Sequence, residues 1–276
     1  MNEKALRIKW AHETLASFMN KSYTNNLGSK VQLLFNEHNS THISEESSDD
    51  IMGRYTPITN NYDTEFSVVN QATIEAGHDL SQDFGTTVML NFASGKSPGG
   101  GFLKGSQAQE ESLCRSSNLF LGLMQSTLFY TNNVNIASAM HCDDMVLSEV
   151  VTFIRQTNGE LYDSPFDCAV LTCPAVNAGL VEKYEKDNIS EIYTVMDRRI
   201  EKVLAMAAIH QYDNLVLGAW GCGVFKCDPS IIASLFNKHL NDGKYQGVFK
   251  KVRFAIYEDS QVESEFKQFF KTESLV

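Results

Sequence analysis

The chain has 276 residues, of which 43% are hydrophobic, and it carries a formal net charge of −11 at pH 7. This apolar content suffices for a sizeable buried core and excludes an intrinsically disordered protein. The excess of acidic over basic residues argues against general nucleic-acid binding and against binding to anionic membranes, because both require a basic surface.

The sequence carries few signals of targeting or of disulfide formation. The first ten residues mix charged and apolar side chains and do not form a signal-peptide pattern. There is no apolar run of about 18 residues, the length that a membrane-spanning helix needs. Six cysteines are scattered without a C-x-x-C pair, which favours reduced thiols. We therefore expect a cytoplasmic protein that does not enter membranes.

The first part of the chain predicts few regular elements. Apolar residues at helical spacing predict a helix over residues 4–20, and residues 31–35 have the composition of a short strand. Residues 36–50 are polar and acidic, which predicts a solvated or mobile loop. Residues 64–80 end in a segment, 70–78, that predicts a helix.

From residue 86 onward, predicted strands and helices alternate. Residues 86–92 are β-branched and apolar and predict a buried strand. Apolar residues recur at helical spacing from Gln109 onward. Further strands are predicted over residues 168–172, 215–219 and 252–256, and further helices over residues 192–211 and 229–240.

This alternation predicts an α/β fold, a sandwich in which a parallel or mixed sheet lies between helices. Ligands in such sheets bind at the loops that follow the carboxyl ends of the strands. Three predicted strands end before Gly99, Pro174 and Gly221. We therefore expect the loops that begin there to meet at one edge of the sheet.

The most informative motif is Gly99-Gly100-Gly101, which is followed by Gln109-Glu110-Glu111 at the start of a predicted helix. Three consecutive glycines let main-chain N–H groups approach a phosphate or sugar oxygen, because no Cβ blocks the approach. Two adjacent carboxylates beside such a loop suggest acid–base chemistry on the bound group.

A second glycine-rich loop spans residues 218–226 and contains Gly221-Cys222-Gly223. Asp228 and Pro229 predict a helix start, and the helix that follows directs its N-terminal N–H groups towards the loop, which favours a diphosphate there. Cys222 has the position of a nucleophile in a glycine turn. No histidine lies near it in the sequence, so a small buried thiol is the favoured interpretation.

Other polar residues are less specific. His38 and His42 lie in a polar run, and residues 141–144 lack a second group of ligands, so neither cluster is expected to bind a metal. A local basic patch is predicted from four residues near the glycine loops: Lys96, Lys104, Arg115 and Lys226.

Four stretches, residues 91–94, 98–103, 107–115 and 218–225, resemble the bacterial-type poly(ADP-ribose) glycohydrolases. The triple-glycine and Gln-Glu-Glu signature is the closest part, and the likeness extends more loosely from about residue 60 to the C-terminus. The resemblance implies a macrodomain-like three-layer sandwich with an N-terminal helical extension. It also implies that ADP-ribose binds in a cleft above the sheet.

The same resemblance implies roles for individual residues. Glu111 matches the catalytic glutamate, which acts as general acid and then as general base, and Glu110 matches the neighbour that holds the ribose hydroxyls. Phe225 matches an aromatic residue that packs against the terminal ADP-ribose, although a simple core position is the alternative. The other implied substrate-binding residues are Asn91, Gly99, Gly100, Gly101, Gln109, Gly221, Cys222, Gly223 and Val224.

The implied role of Glu111 conflicts with its predicted place at a helix N-terminus. That position favours an ionised carboxylate, whereas a general acid needs a raised pKa. We expect Glu110, a bound diphosphate and the exclusion of water to act in the opposite direction.

The resemblance predicts an enzyme that hydrolyses the ribose–ribose bond mainly from the chain end. Its substrate would be poly(ADP-ribose) or an ADP-ribosylated protein, and its product ADP-ribose, without a cofactor or metal. A macrodomain that only binds ADP-ribose and a hydrolase of mono-ADP-ribosyl groups are the alternatives. We expect a monomer with one catalytic domain, residues 1–276, in which residues 1–80 are the extension and residues 85–276 the core.

Overall fold

The computed structural model describes residues 2–35, 40–57, 61–83 and 85–270. The α-helices in these residues are α1 (Glu3–Met19), α2 (Glu45–Arg54), α3 (Thr73–Ser81), α4 (Gln109–Ser116), α5 (Leu119–Gln125), α6 (Thr127–Asn135), α7 (Ala178–Tyr184), α8 (Ile192–Ile209), α9 (Pro229–Leu240) and α10 (Ser260–Phe269). Short 3-10 helices span Phe102–Lys104 and Lys186–Glu191.

The strands form a seven-stranded sheet and a separate hairpin. They are β1 (Ser22–Thr24), β2 (Lys30–Gln32), β3 (Ser40–Ile43), β4 (Glu65–Val69), β5 (Thr87–Phe92), β6 (Met145–Arg155), β7 (Leu161–Cys173), β8 (Asn214–Leu217) and β9 (Lys251–Ala255). The large sheet has the order β3-β6-β7-β5-β8-β9-β4, and β1 pairs with β2. The pairs from β7 to β4 are parallel, whereas those of β6 with β3 and β7 are antiparallel, so the sheet is mixed as predicted.

Helices cover both faces of this sheet. Side chains alternate between the two faces of a strand, and in β5 Val88 and Leu90 join the core formed with α8 and α9. Met89, between them, joins the core formed with α3 and α4. The result is the predicted three-layer sandwich. No helix in the described part of the chain is long and apolar enough to cross a membrane.

The longer predicted elements are confirmed, including α1, β5, α8 and α9. Where the structure differs, tertiary contacts explain the difference. The segment 64–80 contains β4 before α3, because β4 pairs with the distant β9. The predicted helix after Gln109 ends at Ser116, and α5 begins at Leu119. Ser117 between them bridges to Phe153 of β6, so strand-like pairing interrupts the helical pattern.

The prediction of a loop over residues 36–50 is wrong for the described part, residues 40–50. Strand β3 pairs with β6 through a long-range register that the local sequence does not reveal. Helix α2 begins after Ser44, whose side chain accepts a hydrogen bond from the Ser47 N–H. The helix buries only Ser48, which explains its polar composition. His38 lies outside the described residues, and His42 is hydrogen-bonded to Asp144.

The predicted boundary near residue 85 also needs correction. Strands β3 and β4 precede it, yet they form the two edges of the seven-stranded sheet. The sheet therefore begins at residue 40 and includes part of the expected extension. Strand β6 lacked a sequence prediction, although it is the neighbour that joins β3 to β7.

A buried ion-pair network joins α8 to the segment before β6. Asp143 and Arg199 are both fully buried, and Arg199 Nε donates to Asp143 Oδ1 at 2.9 Å. Arg198 Nε donates to Asp143 Oδ2 at 2.6 Å. Lys202 Nζ lies 3.3 Å from Asp143 Oδ2 and 2.7 Å from Asp49 Oδ1. Asp143 therefore pairs with two buried cations, of which Lys202 has Asp49 as a second partner.

We expect Asp143→Ala to lower the free energy of unfolding by about 3–5 kcal/mol, because it leaves the buried charge of Arg199 without its carboxylate. Urea denaturation would measure the loss. Asp50→Ala is the control, since Asp50 pairs with Arg54 in solvent, and it should cost no more than about 1 kcal/mol. Equal effects of the two substitutions would contradict the role given to Asp143.

Candidate active site

A cavity of about 820 Å³ opens where the parallel strands end. Its walls come from the loops after β5, β7, β8 and β9, together with the start of α4. Both glycine loops contribute to it, as the sequence predicted. The topology brings these segments together because the carboxyl ends of parallel strands share one edge of a sheet.

Gln109 attaches the start of α4 to the end of β5. Its side-chain oxygen accepts a hydrogen bond from the Phe92 N–H at 2.9 Å, and its side-chain nitrogen donates to the Leu90 carbonyl oxygen at 2.7 Å. The same nitrogen reaches Thr73 Oγ1 at 3.2 Å. Gln109 lines the cavity but mainly fixes the helix that carries the two glutamates.

Glu110 lies under the first glycine loop, and only 3% of it is exposed. Its Oε2 accepts a hydrogen bond from the Ser94 N–H at 2.8 Å, and its Oε1 one from Asn91 Nδ2 at 3.3 Å. Burial raises the pKa of Glu110 to about 8, and the hydrogen bonds only partly oppose this effect. The protonated form therefore prevails at neutral pH.

Glu111 is partly exposed and lines the cavity. Its Oε1 accepts a hydrogen bond from the Gly101 N–H at 2.9 Å. Gly100 adopts a φ of +56°, and a Cβ there would lie 2.5 Å from the same oxygen. The absence of side chains in this loop thus allows the backbone to hold the carboxylate of Glu111.

The second glycine loop forms the facing part of the cavity with Gly221, Cys222, Gly223, Val224 and Phe225. Val224 is 76% exposed, and the Phe225 ring stacks on the His141 ring with centroids 5.9 Å apart. Burial raises the pKa of the Cys222 thiol. The thiol is therefore protonated at neutral pH, in keeping with the interpretation as a small thiol rather than a nucleophile.

Three residues that the sequence analysis named lie away from the cavity wall or from the surface. Asn91 and Gly99 do not line the cavity; Asn91 is fully buried and supports Glu110 from below, while Gly99 packs on Phe102 and Cys114. Arg115 is buried and bonds to Ser106 and Gln107, so it does not belong to a surface patch.

The N-terminus of α9 differs from the expected anion site. The Asp228 side chain accepts hydrogen bonds from the N–H groups of Ser230 and Ile231 at 2.9 and 3.2 Å. These two donors are thus satisfied within the protein, and the cap introduces a negative charge. A diphosphate near the second loop would have to use other donors.

Sequence reasoning missed the wall that follows β9. Residues 255–259 and Val262 line the cavity, and Glu258 has a φ of +53° while its N–H donates to Asn70 Oδ1. The available signal was the polar and aromatic triplet Tyr257-Glu258-Asp259 directly after a predicted strand. Thr157 of the β6–β7 turn was also missed, and it is held in place by Glu75.

A family model for the catalytic domain of microbial-type poly(ADP-ribose) glycohydrolase (PARG) matches residues 11–156, more than half of the chain. The chain belongs to this family. Its members are hydrolases that act on the glycosidic bond of poly(ADP-ribose). The glycohydrolase activity implied by the motifs is thereby confirmed.

Solved PARG structures agree with this assignment. The PARG of Thermomonospora curvata is 31% identical with a TM-score of 0.90, and the match covers 96% of this chain and 100% of that one. The PARG of Deinococcus radiodurans in complex with ADP-ribose is 33% identical with a TM-score of 0.78, covering 83% and 92%. The macrodomain-like fold is confirmed. The comparison with curated proteins gives no match.

Gly100→Ala should disable this protein without unfolding it. The new Cβ would collide with Glu111 Oε1, and the positive φ would cost about 1–2 kcal/mol. We expect ADP-ribose release from poly(ADP-ribose) to fall at least tenfold. Gly53→Ala is the control, because nothing lies within 4 Å of the added Cβ in α2; it should retain activity. Full activity of Gly100→Ala would contradict the described loop geometry.

The raised pKa of Glu110 makes the stability of the folded protein depend on pH. Because the pKa is about 8 in the folded protein against an ordinary 4.5, the folded protein keeps a proton that the unfolded chain releases. The associated stability is complete below the unfolded pKa and is lost as the pH rises through the folded pKa. The urea midpoint of the wild type should therefore fall, relative to that of Glu110→Gln, from about pH 5 to about pH 9.

Glu46→Gln provides the control for this titration, because Glu46 is an exposed glutamate on α2. Its urea midpoint should follow that of the wild type at every pH. If the Glu110→Gln curve were also parallel to the wild type, Glu110 would not carry the proton.

Proposed function

We propose that this chain releases ADP-ribose from poly(ADP-ribose), mainly from the chain end, and that Glu111 is its general acid and base. The observation that carries the assignment is the placement of the Glu111 carboxylate. It lies at the cavity surface, beside the triple-glycine loop, and one of its oxygens is fixed by the Gly101 N–H. A fixed carboxylate next to a sugar-sized cleft suits hydrolysis of a glycosidic bond.

The hydrogen bond to Oε1 leaves Oε2 of Glu111 for proton transfer. Glu111 would donate its proton to the 2′-oxygen that leaves as the ribose–ribose bond breaks. The ionised carboxylate would then take a proton from the water that adds to the ribose carbon. Both transfers return Glu111 to its starting state, so one carboxyl serves both half-reactions.

Glu110 would support this step as a neutral neighbour. An ionised Glu110 directly beside Glu111 would repel both Glu111 and the diphosphate of the substrate. Glu110 is instead mainly protonated near neutral pH, so this repulsion is absent. Its position under the loop, held by Ser94 and Asn91, favours contact with the ribose hydroxyls. Glu110 would therefore position the sugar rather than transfer the proton.

The two glycine loops would hold the rest of the ADP-ribosyl group. We assign the ribose to Gly100 and Gly101, the diphosphate to residues 221–224, and the face of the terminal unit to Phe225. Lys96, Lys104 and Lys226 are exposed around these loops and would attract the polyanion locally despite the acidic net charge. The PARG of D. radiodurans, which binds ADP-ribose, supports this choice of product.

We also propose that the chain forms one catalytic domain, acts as a monomer in the cytoplasm, and accepts poly(ADP-ribose) or an ADP-ribosylated protein as substrate. These features follow from the family resemblance and the reduced cysteines. All six cysteines are free in the structure.

The decisive experiment compares wild type, Glu111→Gln and Glu46→Gln on labelled poly(ADP-ribose) without added metal. Chromatography would resolve the products. We expect the wild type and Glu46→Gln to release ADP-ribose and Glu111→Gln to be slower by about 10²–10⁴-fold, while still binding ADP-ribose. Glu111→Gln at the wild-type rate would exclude the proposed acid–base role.

The same experiment distinguishes the two alternatives. Binding of polymer by the wild type without release would indicate a macrodomain that only binds ADP-ribose. Release from mono-ADP-ribosylated protein but not from polymer would indicate a hydrolase of single ADP-ribosyl groups.

A further inference from the structure

His141 occupies an unusual position behind the cavity. It lies in the segment between α6 and β6, only 7% of it is exposed, and its backbone adopts a φ of +59°. This left-handed conformation is uncommon for residues with a side chain. His141 does not itself line the cavity, and the proposed reaction assigns it no role.

The imidazole contacts three separate segments of the cavity wall. Its Nδ1 lies 2.9 Å from the Ala175 carbonyl oxygen, in the loop after β7. One ring face stacks on Phe225 of the second glycine loop. Its Cδ2 and Nε2 lie so close to Gly95 that a Cβ there would be 2.6 and 3.0 Å away.

These contacts matter because of what the neighbouring residues do. Gly95 follows Ser94, whose N–H holds Glu110. Ala175, Ser94 and Phe225 all line the cavity. The buried His141 ring therefore lies between two parts of the site. On one side it adjoins Gly95, next to the Ser94 N–H that binds Glu110. On the other side it stacks on Phe225, which we assign to the terminal ADP-ribosyl unit.

The backbone of His141 is anchored to α8. Arg199 Nη2 donates to the carbonyl oxygens of His141 and Met140 at 3.2 and 3.1 Å, and Arg199 Nη1 donates to that of Pro174 at 2.9 Å. Arg199 is in turn paired with Asp143. The backbone of His141 is thus held by the buried pair of Arg199 and Asp143.

The ring is neutral at physiological pH. Burial lowers the pKa of His141 to about 4; the nearby charges of Arg199 and Lys96 act in the same direction, whereas the Ala175 carbonyl and Glu185 oppose it. Because a carbonyl oxygen only accepts hydrogen bonds, Nδ1 carries the proton and Nε2 does not. His141 can therefore pack beside Lys96 as an uncharged aromatic residue.

We propose that His141 is a positioning residue that sets the spacing between residues 94–95, after β5, and the second glycine loop, and so the placement of Glu110 and Phe225 around the terminal ADP-ribosyl unit. This inference rests on the proposed glycohydrolase function. A displacement of about 1 Å at a reacting centre can cost on the order of 10²-fold in rate. Loss of the ring should therefore lower kcat more than it raises KM.

Three variants separate positioning from general stability. His141→Ala removes the ring, whereas His141→Phe keeps a somewhat larger aromatic ring that can stack on Phe225 but loses the bond to Ala175. His78→Ala is the matched control, because His78 stacks on Tyr162 in a similar way but does not line or adjoin the glycine loops. We expect His141→Ala to lose at least tenfold in kcat, His141→Phe to recover most of it, and His78→Ala to keep the wild-type kcat.

A double-mutant cycle with Gly95→Ala tests the contact itself. In the wild type the added methyl would collide with the imidazole and lie 3.2 Å from Asn133 Oδ1, so Gly95→Ala should lower kcat. In the His141→Ala background only the milder contact with Asn133 remains, so the fold loss of kcat caused by Gly95→Ala should be at least threefold smaller. Such coupling is expected only for residues that act through one another.

The measurements are kcat and KM for ADP-ribose release, with urea midpoints for each variant. The proposal is supported by the kcat loss, its rescue by Phe and the coupling with Gly95. It is overturned if His141→Ala stays within twofold of the wild-type kcat, if His141→Phe is as slow as His141→Ala, or if the two positions act independently. Release of ADP-ribose by the wild type tests the proposed function by itself, so a failure of that function is distinguishable from a failure of the role given to His141. If His141→Ala fails to fold, the effect of Gly95→Ala on kcat is measured in the wild type and in His141→Phe instead. No loss of kcat in either background overturns the proposal.

Discussion

The site depends on the attachment of the N-terminus of α4 to the carboxyl end of β5. Gln109 makes this attachment by bonding to the backbone of β5 on both sides of Asn91. Glu110 strengthens it by bonding to Ser94 and Asn91. Since β5 lies in the middle of the sheet, between β7 and β8, the helix that carries the two glutamates is attached to a central strand.

This arrangement gives adjacent glutamates different environments. The helix rotates successive side chains by about 100°, so Glu110 points into the protein and Glu111 into the cavity. Burial keeps a proton on Glu110, while the Gly101 N–H orients Glu111. Two carboxyl groups that would repel each other in the same environment can therefore lie side by side and serve different purposes.

The charge distribution fits a substrate that is itself a polyanion. The chain is acidic overall, and most of its cations in the described residues are paired with carboxylates. Lys96, Lys104 and Lys226 are exposed beside the glycine loops. Positive charge confined to the cleft would favour binding of one end of a polymer over binding of extended nucleic acid, because only a few phosphates are contacted at once.

By itself the sequence determined the long periodic helices, the buried strands, the glycine loops and the paired glutamates. These features are encoded by local spacing, such as the apolar periodicity of α8, or by a compact motif within a few residues. Only the tertiary structure decided that β3 and β4 close the two edges of the sheet and that Arg115 is buried. It also decided that Asn91 supports Glu110 and that His141 lies between Gly95 and Phe225. Each of these depends on contacts between residues far apart in the chain, or on burial, which neither composition nor local spacing records.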